Sequence, residues 1–373
     1  MRILVDISHP AHVHFFRNAI SKWLEHGHLL RVVARDKDIT RDLLNRFNIP
    51  HKVLSKARTG ILGWTGEMLV HTARLLPLVL TFKPHVMLQI GGIFVCPVGR
   101  LTLRPAWAFT DTENAALSNF IAFRFAHRVF TPQCYNLSHG SGHLRYPGFH
   151  ELAYLHPRHF RPDPSVLSTL GLKPSDPFFI VRFVAWESAH DIGQRGFSLP
   201  NKIKLVSELA RHGRVFVSSE APLPPSLKPY TSPIPVEQIH HFIAYASLVV
   251  GESATMASEA AVLGIPSIFV SPTGRGYTDV QERRYGLVFN FKHSDQANAL
   301  DKVKEFIVTS YPKNHWEKKR RRLLEDSIDV TGWLVRMVER FGVTHDAEAS
   351  AKWAFRQVNL EERGKGTQGV SLQ

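Results

Sequence analysis

The sequence predicts an α/β protein built from two doubly wound, Rossmann-like domains that face each other across a cleft. Short apolar runs alternate with stretches of helical periodicity in both halves of the chain. With 373 residues, the chain is longer than one hydrophobic core usually serves. Prolines and glycines cluster between about residues 146 and 176, as they do in segments that join two domains.

These observations divide the chain into four expected segments. They are an N-terminal domain (1–147), a linker (148–176), a C-terminal domain with the terminal helices (177–342) and a polar, partly disordered tail (343–373).

Each domain is expected to alternate strands with helices. The apolar runs that predict strands are residues 3–7, 29–34, 86–90, 106–110, 128–131, 178–184 and 215–219. The stretches that predict helices are residues 13–24, 41–47, 115–126, 201–212, 236–244, 295–308 and 313–341.

The segment 249–270 is the most informative part of the chain. An apolar run ends at Gly251, small residues open a helix, and a second apolar run follows, which is the pattern of a βαβ unit. The start of such a helix presents N–H groups and a partial positive charge, which suits a diphosphate. Glu259 lies four residues after Thr255 on roughly the same helix face, within reach of a ribose or sugar hydroxyl. The alternative is an ordinary connection whose small residues serve packing.

Three histidines, His9, His12 and His14, follow the first predicted strand. Imidazole titrates near neutral pH, so a general base or a hydrogen bond to substrate is one reading, and helix capping is another. A metal site is the third, but no cysteine or carboxylate completes the set, and we expect neither a metal nor a cofactor. His12 and His14 cannot share one helix face, so at most one should point at a substrate.

A second polar cluster, residues 111–114, follows the fourth predicted strand. The carboxylates of Asp111 and Glu113 could accept a proton, and Asn114 could orient a hydroxyl; the alternative is a helix N-cap box. The pair Gly91 and Gly92 either lets the backbone approach a ligand closely or makes a tight turn.

Two further residues of the second domain are candidates for ligand binding. Arg182 ends a predicted strand, where it could bind a diphosphate or form a surface ion pair. Residues 271–281 are expected to form a flexible loop that brings Gln281 to a sugar.

The net charge of +14 favours an anionic partner. The basic run 318–322 could be a solvated helix face or could meet anionic lipid, and no motif of a nucleic-acid-binding fold is visible. Only Cys96 and Cys134 are present, which fits a reducing cytoplasm, and the chain opens on a strand rather than a signal peptide. We therefore expect a cytoplasmic protein without a nucleic-acid partner.

Residues 61–82 form an apolar segment that charged residues and a proline interrupt, so it cannot be a spanning helix. It is read as an amphipathic helix with Trp64 and Arg74 near its ends. Such a helix is either buried in the core or lies on the inner face of the cell membrane, which makes an anionic membrane surface a candidate partner.

Together these motifs resemble the GT-B glycosyltransferases, among them the peripheral-membrane N-acetylglucosaminyltransferases that make lipid II. The similar positions are residues 91–97, Thr112-Glu113-Asn114, Asn119, residues 126–129, Gly251, residues 253–256, Glu259 and Gln281. The opening residues 6–16 also resemble the family called domain of unknown function 354, which covers the chain to about residue 340.

The resemblance implies a metal-independent, inverting transfer of a sugar from a nucleotide diphosphate sugar, with uridine as the expected nucleoside, to a lipid-linked or cell-envelope glycan. The base would be His12, Asp111 or Glu113. The donor would meet Arg182, Gly251, Ser253, Ala254, Thr255, Met256, Glu259 and Gln281, with Glu259 on the ribose. The acceptor would meet His9, His14, Gly91, Gly92 and Asn114.

Two other functions fit the same residues. One is a non-hydrolysing UDP-N-acetylglucosamine 2-epimerase, which also consists of two such domains. The other is a non-catalytic protein that binds nucleotide sugars, or that binds membranes or nucleic acid through its basic helix.

Overall fold

The computed structural model describes most of the chain, namely residues 1–137, 140, 142–184, 196–309 and 311–363. It divides the chain into two units. The first unit combines Met1–His159 with the described residues from Glu325 onward, and the second unit is Phe160–Leu324.

All strands of the two sheets run parallel to their neighbours. In chain order they are β1 (Arg2–Ile7), β2 (Leu29–Asp36), β3 (Lys52–Lys56), β4 (Val86–Ile90), β5 (Ala106–Phe109), β6 (Arg128–Pro132), β7 (His143–Tyr146), β8 (Phe178–Phe183), β9 (Arg214–Ser219), β10 (Leu248–Gly251), β11 (Ser267–Val270) and β12 (Val288–Phe291).

The helices connect these strands or follow them. In chain order they are α1 (Pro10–Glu25), α2 (Thr40–Arg46), α3 (Gly60–Phe82), α4 (Val95–Thr102), α5 (Ala116–Phe125), α6 (Leu152–Leu155), α7 (Ser165–Ser168), α8 (Leu199–Ala210), α9 (Ile239–Ile243), α10 (Ala254–Leu263), α11 (Gly276–Arg283), α12 (Gln296–Thr309), α13 (Lys313–Glu325), α14 (Val330–Thr344) and α15 (Ala347–Arg363).

The sheet of the first unit has seven strands in the order β3-β2-β1-β4-β5-β6-β7. The sheet of the second unit has five strands in the order β12-β11-β10-β8-β9. Both are doubly wound orders, which confirms the predicted class of an α/β protein with two Rossmann-like domains. Helices cover both faces of such sheets, so central strands are apolar throughout, as in β1, where Ile3, Leu4 and Val5 are fully buried.

Helix α14 belongs to the first unit, where it packs on the seven-stranded sheet. Its Trp333 lies 4.8 Å from Tyr146 and 5.7 Å from Phe130, and its Phe341 lies 4.9 Å from Trp107 between ring centroids. Aromatic rings bury large apolar areas, so these contacts are a major part of the first core. This packing differs from the predicted division, which assigned the terminal helices to the second domain.

The single helix expected over residues 313–341 is two helices. Helix α13 ends at Glu325 and α14 begins at Val330, with Asp329 as its N-cap. The Asp329 carboxylate accepts the N–H of Gly332 at 2.8 Å. A carboxylate at this position satisfies an N–H group that has no partner inside the helix, so it starts a new helix and lets the chain change direction.

The predicted linker and tail also differ from the structure. In the linker, Leu152 and Leu155 of α6 are fully buried in the first unit. In the tail, α15 packs on α14, and Trp333 donates a hydrogen bond to the Ala351 carbonyl at 3.2 Å. Its buried Ala351, Ala354 and Val358 recur at helical spacing within a polar segment. Residues 364–373 lie outside the described residues.

Helix α3 is the predicted amphipathic segment, and it turns polar side chains toward the sheet. Glu67 forms an ion pair with Arg35 of β2, whose Nη2 lies 2.8 Å from the carboxylate. Its neighbour His71 lies 2.7 Å from Ser55 of β3 and 2.9 Å from Asp6 of β1. All of these groups except the partly exposed Arg35 are almost fully buried, and each is stabilised by the others, as burial of charge requires.

Candidate functional site

In the second sheet, the connections from β8 and β10 leave in opposite directions. Strand β8 is followed by the edge strand β9, whereas β10 is followed by β11 on the other side. Ligands of doubly wound sheets bind beyond the carboxyl ends of such strands, because the diverging connections leave room there. Gly251 ends β10, so the motif identified in the sequence lies at this point.

The first turn of α10 presents backbone N–H groups beyond the end of β10. Ser253 is the N-cap, and its Oγ accepts the N–H of Met256 at 3.3 Å. The N–H groups of Ala254 and Thr255 precede any carbonyl of the helix that could accept them. Together with the helix dipole, these groups are suited to bind an anion.

Glu259 lies one turn further along α10 and is held by a histidine. Nε2 of His240, on α9, is 2.8 Å from Oε1 of Glu259, and the two residues are only 1% and 7% exposed. The hydrogen bond compensates the carboxylate for burial and sets its direction. Sequence reasoning missed His240, since 19 residues separate it from Glu259 and only the packing of α9 on α10 joins them.

Gln281 lies on helix α11 rather than on a flexible loop. The predicted loop 271–281 becomes helical at Gly276. The side chain of Gln281 is buried, and its Nε2 donates to Oγ of Ser258 at 2.7 Å. Gln281 therefore lies directly beside α10, where its partner Ser258 immediately precedes Glu259.

Arg182 forms hydrogen bonds with β9 and with a residue that follows it. It donates to Oγ of Ser218 at 2.7 Å and to the carboxylate of Glu220 at 2.6 Å. The strand spacing also explains Gly251, because a Cβ atom there would lie 2.3 Å from the Arg182 carbonyl oxygen. For Arg182, this geometry is that of the ion pair, the alternative in the sequence analysis. For Gly251, it indicates a role in packing against β8.

Glu252 is a second residue that sequence reasoning missed. Its carboxylate accepts the N–H of Val184 at 2.8 Å and the N–H of Phe197 at 2.7 Å, and Nζ of Lys202 lies 3.3 Å away. Glu252 thus ties the end of β8 to the segment before α8. A carboxylate with two backbone donors and a cation is strongly stabilised although it is buried.

In the first unit, His12 lies in the first turn of α1, after β1. Its Nδ1 is 3.3 Å from Oγ of Ser8 and 3.4 Å from the Ser8 nitrogen. Burial lowers the pKa of His12 well below its usual value, and His9 acts in the same direction, while Asp111 opposes it. The ring is therefore neutral at physiological pH, the state in which imidazole can accept a proton or donate a hydrogen bond.

Asp111 lies at the carboxyl end of β5 and pairs with His150. The atoms Oδ2 and Nδ1 are 3.1 Å apart, and Oγ1 of Thr112 donates to Oδ1 at 2.8 Å. Burial by itself raises the pKa of Asp111, but His150 and the hydrogen bonds outweigh it and lower the pKa to about 2. Asp111 is thus ionised at neutral pH. His150 was not identified from the sequence.

The remaining residues of the 111–114 cluster are held by their own chain. Nδ2 of Asn119 donates to the carbonyls of Thr112 and Glu113 at 2.9 and 3.1 Å. Oε1 of Glu113 accepts the N–H of Asn136 at 3.2 Å, and Asn114 is partly exposed. The N-cap of the following helix α5 receives no side-chain hydrogen bond, so the cluster is not a capping box.

The other histidines serve the structure of α1. His9 is its N-cap, and its Nδ1 accepts the N–H of Ala11 at 3.3 Å. His14 is buried, with its ring 5.7 Å from Phe47 and 5.3 Å from Tyr154 between centroids. The structure therefore brings His9 and His12 to the end of β1 and turns His14 into the core.

Gly91 and Gly92 both have positive φ, at 78° and 63°, which favours glycine. A Cβ atom at Gly91 would lie 2.6 Å from Oγ of Ser118, and one at Gly92 would lie 2.6 Å from Sγ of Cys96. The geometry matches the tight turn of the sequence analysis, because the protein itself fills the space that side chains would take.

Comparison with known proteins identifies the family of this chain. A family model described as "Protein of unknown function (DUF354)" matches residues 1–340. None of the curated proteins matches the chain in sequence.

Three solved structures illustrate the similarity in fold. S. aureus MnaA with UDP has a TM-score of 0.64 at 12% identity, over 91% of this chain and 96% of its own. UDP-GlcNAc 2-epimerase from Methanocaldococcus jannaschii, in complex with UDP-GlcNAc and UDP, has a TM-score of 0.62 at 11% identity, over 84% and 94%. The spinosyn rhamnosyltransferase SpnG, complexed with spinosyn aglycone, has a TM-score of 0.61 at 12% identity, over 91% and 100%. At these identities the similarity concerns the fold.

Across the described part of the chain, none of the helices combines the length and the apolar character that crossing a bilayer requires.

Proposed function

Because the chain belongs to the DUF354 family and has the GT-B fold of two Rossmann-like units, we propose that it is a glycosyltransferase that uses a nucleotide diphosphate sugar. The donor is expected to be a UDP-sugar and the acceptor a lipid-linked or cell-envelope glycan. The observation that carries the proposal is the start of α10, where free helix-end N–H groups and Glu259 lie one turn apart beyond the end of β10.

In the proposed complex, the diphosphate binds at the N–H groups of Ala254 and Thr255, and no metal ion is required to hold it. Glu259, directed by His240, accepts hydrogen bonds from the ribose hydroxyls. Gln281 contacts the sugar. Arg182 binds the diphosphate after it exchanges its present partner Glu220 for the ligand.

The proposed reaction inverts the configuration at the sugar. The acceptor hydroxyl attacks the anomeric carbon, the bond from that carbon to the diphosphate oxygen breaks, and the nucleoside diphosphate leaves. The hydroxyl proton passes to a base, for which neutral His12 and ionised Asp111 are in suitable protonation states, with Glu113 as the third candidate. The helix end stabilises the negative charge that develops on the leaving diphosphate.

A lipid-linked acceptor is supported by an apolar surface of the first unit. Helices α3, α4 and α5 cover the same face of the sheet, with α4 in contact with both others. Their outward sides, together with the C-cap of α4 at Leu103, carry large apolar residues that are 51% to 88% exposed, namely Leu62, Leu69, Leu80, Leu101, Leu103, Leu117 and Phe120. Exposed apolar surface on this scale is typical of interaction sites.

Charge on the same helices favours an anionic membrane as the partner. Arg100 and Arg124 are exposed beside the apolar residues, and Trp64 is partly exposed at the start of α3. Arginine and tryptophan at the border of an apolar surface are typical of helices that lie in a lipid interface. We therefore propose peripheral attachment through α3, α4 and α5.

The central experiment measures thermal stabilisation by UDP, UDP-N-acetylglucosamine and other nucleoside diphosphates. A ligand at 100 times its dissociation constant stabilises the folded state by about 2.7 kcal/mol, which is a clear rise in melting temperature. Glu259→Ala should weaken the response at least about tenfold in ligand concentration, whereas Glu282→Ala, on α11, should not. The absence of a response to every uridine nucleotide would contradict the proposal.

A second candidate function, epimerisation, is supported by the similarity in fold to the solved UDP-GlcNAc 2-epimerase from Methanocaldococcus jannaschii. Product analysis separates the two. Transfer releases UDP and requires an acceptor, whereas an epimerase returns an intact UDP-sugar that is changed at one carbon in the absence of any acceptor. Nucleotide binding without either product would indicate a non-catalytic binding protein.

A further inference from the structure

We propose that His26, His28 and Glu339 form a binding site for a divalent transition-metal ion, with zinc as the best match. Nδ1 of His26 lies 2.6 Å from Oε1 of Glu339, and Nε2 of His28 lies 3.1 Å from the same oxygen. All three potential ligand atoms lie within 4.8 Å of one another. The site is independent of the nucleotide and acceptor residues discussed above.

The three potential ligand atoms indicate which class of metal ion the site would bind. Two imidazole nitrogens with one carboxylate oxygen match Zn²⁺ and its neighbours in the first transition row, which accept mixed nitrogen and oxygen ligands. Mg²⁺ and Ca²⁺ prefer oxygen ligands and are excluded by the two nitrogens.

The distances suit a tetrahedral ion after small movements. Bonds of about 2.0–2.1 Å to zinc place two ligand atoms roughly 3.4 Å apart. The present distances of 2.6 and 3.1 Å are somewhat shorter, so a withdrawal of the Glu339 carboxylate by under about 1 Å admits the ion. The His26 side chain is 51% exposed, which leaves access for the metal and for a water as fourth ligand.

The ring of His28 is already oriented for this role. Its Nδ1 lies 2.9 Å from the amino nitrogen of Met1, and this contact turns Nε2 toward Glu339. Histidine ligands of metals commonly donate their second N–H to an acceptor. The Met1 ammonium is itself a donor, so it must turn away from Nδ1 once a metal on Nε2 leaves the ring proton there.

The position of the site indicates a structural role. His26 caps the end of α1, His28 directly precedes β2, and Glu339 is on α14, 311 to 313 residues away along the chain. A metal here would join α14 to the amino-terminal end of the first sheet. His12 and Asp111 lie at the opposite edge, at the carboxyl ends of their strands, so the metal would not touch them.

The test is a titration of the full chain, without a polyhistidine tag, with Zn²⁺ in competition with a chromophoric chelator, and with Co²⁺ followed by its visible absorption. One equivalent should bind, and Zn²⁺ should raise the melting temperature. The variants His26→Ala, His28→Ala and Glu339→Gln should each weaken binding by at least about tenfold, since even outer partners of metal ligands contribute 10–100-fold.

The matched control is His212→Ala, which removes an exposed histidine whose Nε2 lies 3.9 Å from Glu208. It should bind Zn²⁺ as the unmodified chain does. Binding that survives all three ligand substitutions, or that is equally weakened by His212→Ala, would overturn the proposal. Circular dichroism of the metal-free variants separates a lost site from a lost fold, and UDP binding by the same variants should be unchanged.

Discussion

A histidine holds each of two carboxylates on which the proposed chemistry depends. In the second unit His240 directs Glu259, and in the first unit His150 directs Asp111. Both histidines are buried, so each acts through the carboxylate beside it and we regard them as positioning residues. A carboxylate that is held in one direction loses less conformational freedom when a ligand binds.

The pair in the second unit leads to a prediction on nucleotide affinity. His240→Ala removes the hydrogen bond that directs the buried carboxylate of Glu259, so we expect the affinity for UDP to fall roughly tenfold, which corresponds to about 1.4 kcal/mol. His240→Gln can keep an N–H at a similar distance and should restore part of the affinity. Isothermal titration with UDP measures both, with His241→Ala as the control on the same helix. Equal affinity in His240→Ala and the unmodified chain would contradict the assigned role.

A second prediction concerns stability at acid pH. Burial by itself raises the pKa of Asp329, but the hydrogen bond and charge of His159, with smaller effects of His156 and the Gly332 N–H, lower it to about 2. Because the pKa in the folded state is depressed, the stabilisation is present above the ordinary pKa near 4 and is lost as the pH falls toward 2. It amounts to about 2 kcal/mol. Urea unfolding at pH 5 and pH 2.5 should show this loss, and Asp329→Asn should reduce it.

At the scale of elements, α3 differs most from a usual surface helix. Its buried side carries Glu67 and His71, and its outward side carries Leu62 and Leu69. Removing one member of a buried ion pair usually costs 3–5 kcal/mol, so the pair with Arg35 holds α3 firmly on the sheet. The helix can therefore expose leucines without leaving its position, which is what a membrane-binding surface requires.

The third prediction tests that surface. Substitution of Leu62, Leu69 and Phe120 by glutamate should abolish co-sedimentation with vesicles that contain phosphatidylserine. The substitutions remove apolar area that the membrane would bury and add negative charge that the anionic lipid repels. Val308→Glu, at an equally exposed apolar residue of α12, should have no effect. Binding of the unmodified chain should weaken with rising salt. Equal sedimentation of the triple variant would argue against attachment through these helices.

Some elements could be predicted and others could not, for a physical reason. The strands β1, β4, β5, β8 and β10 are buried apolar runs and were predicted from the sequence. The edge strands β3 and β7 were not, because Lys52–Lys56 and His143–Tyr146 carry few apolar residues. An edge strand is paired on one side only, so backbone pairing rather than burial defines it.

At the scale of the whole molecule, the last part of the chain belongs to the same unit as the first part. Helices α14 and α15 come last in the sequence but complete the first unit, where Phe341 packs on Trp107 and Trp333 packs on Phe130 and Tyr146. The second unit is thus inserted between two parts of the first. This arrangement ties the stability of the N-terminal sheet to the far end of the chain.

The fourth prediction follows from that arrangement. A fragment of residues 1–159 should be unstable and aggregate, since it exposes the rings that α14 covers, whereas residues 160–324 should fold alone. Supplying residues 325–363 in trans, or joined by a short glycine linker, should restore a cooperative thermal transition to the first fragment. A cooperative transition in residues 1–159 alone would show that α14 is dispensable.

The sequence by itself determined the fold class and the position of the α10 motif, because periodicity, helix starts and glycine turns are local properties of the chain. Only the tertiary structure decided which side chains meet: His240 with Glu259, His150 with Asp111, and His26 and His28 with Glu339. It also decided that the last two helices belong to the first unit. These contacts join residues that are distant in the chain, and no local pattern of side chains encodes the packing that brings them together.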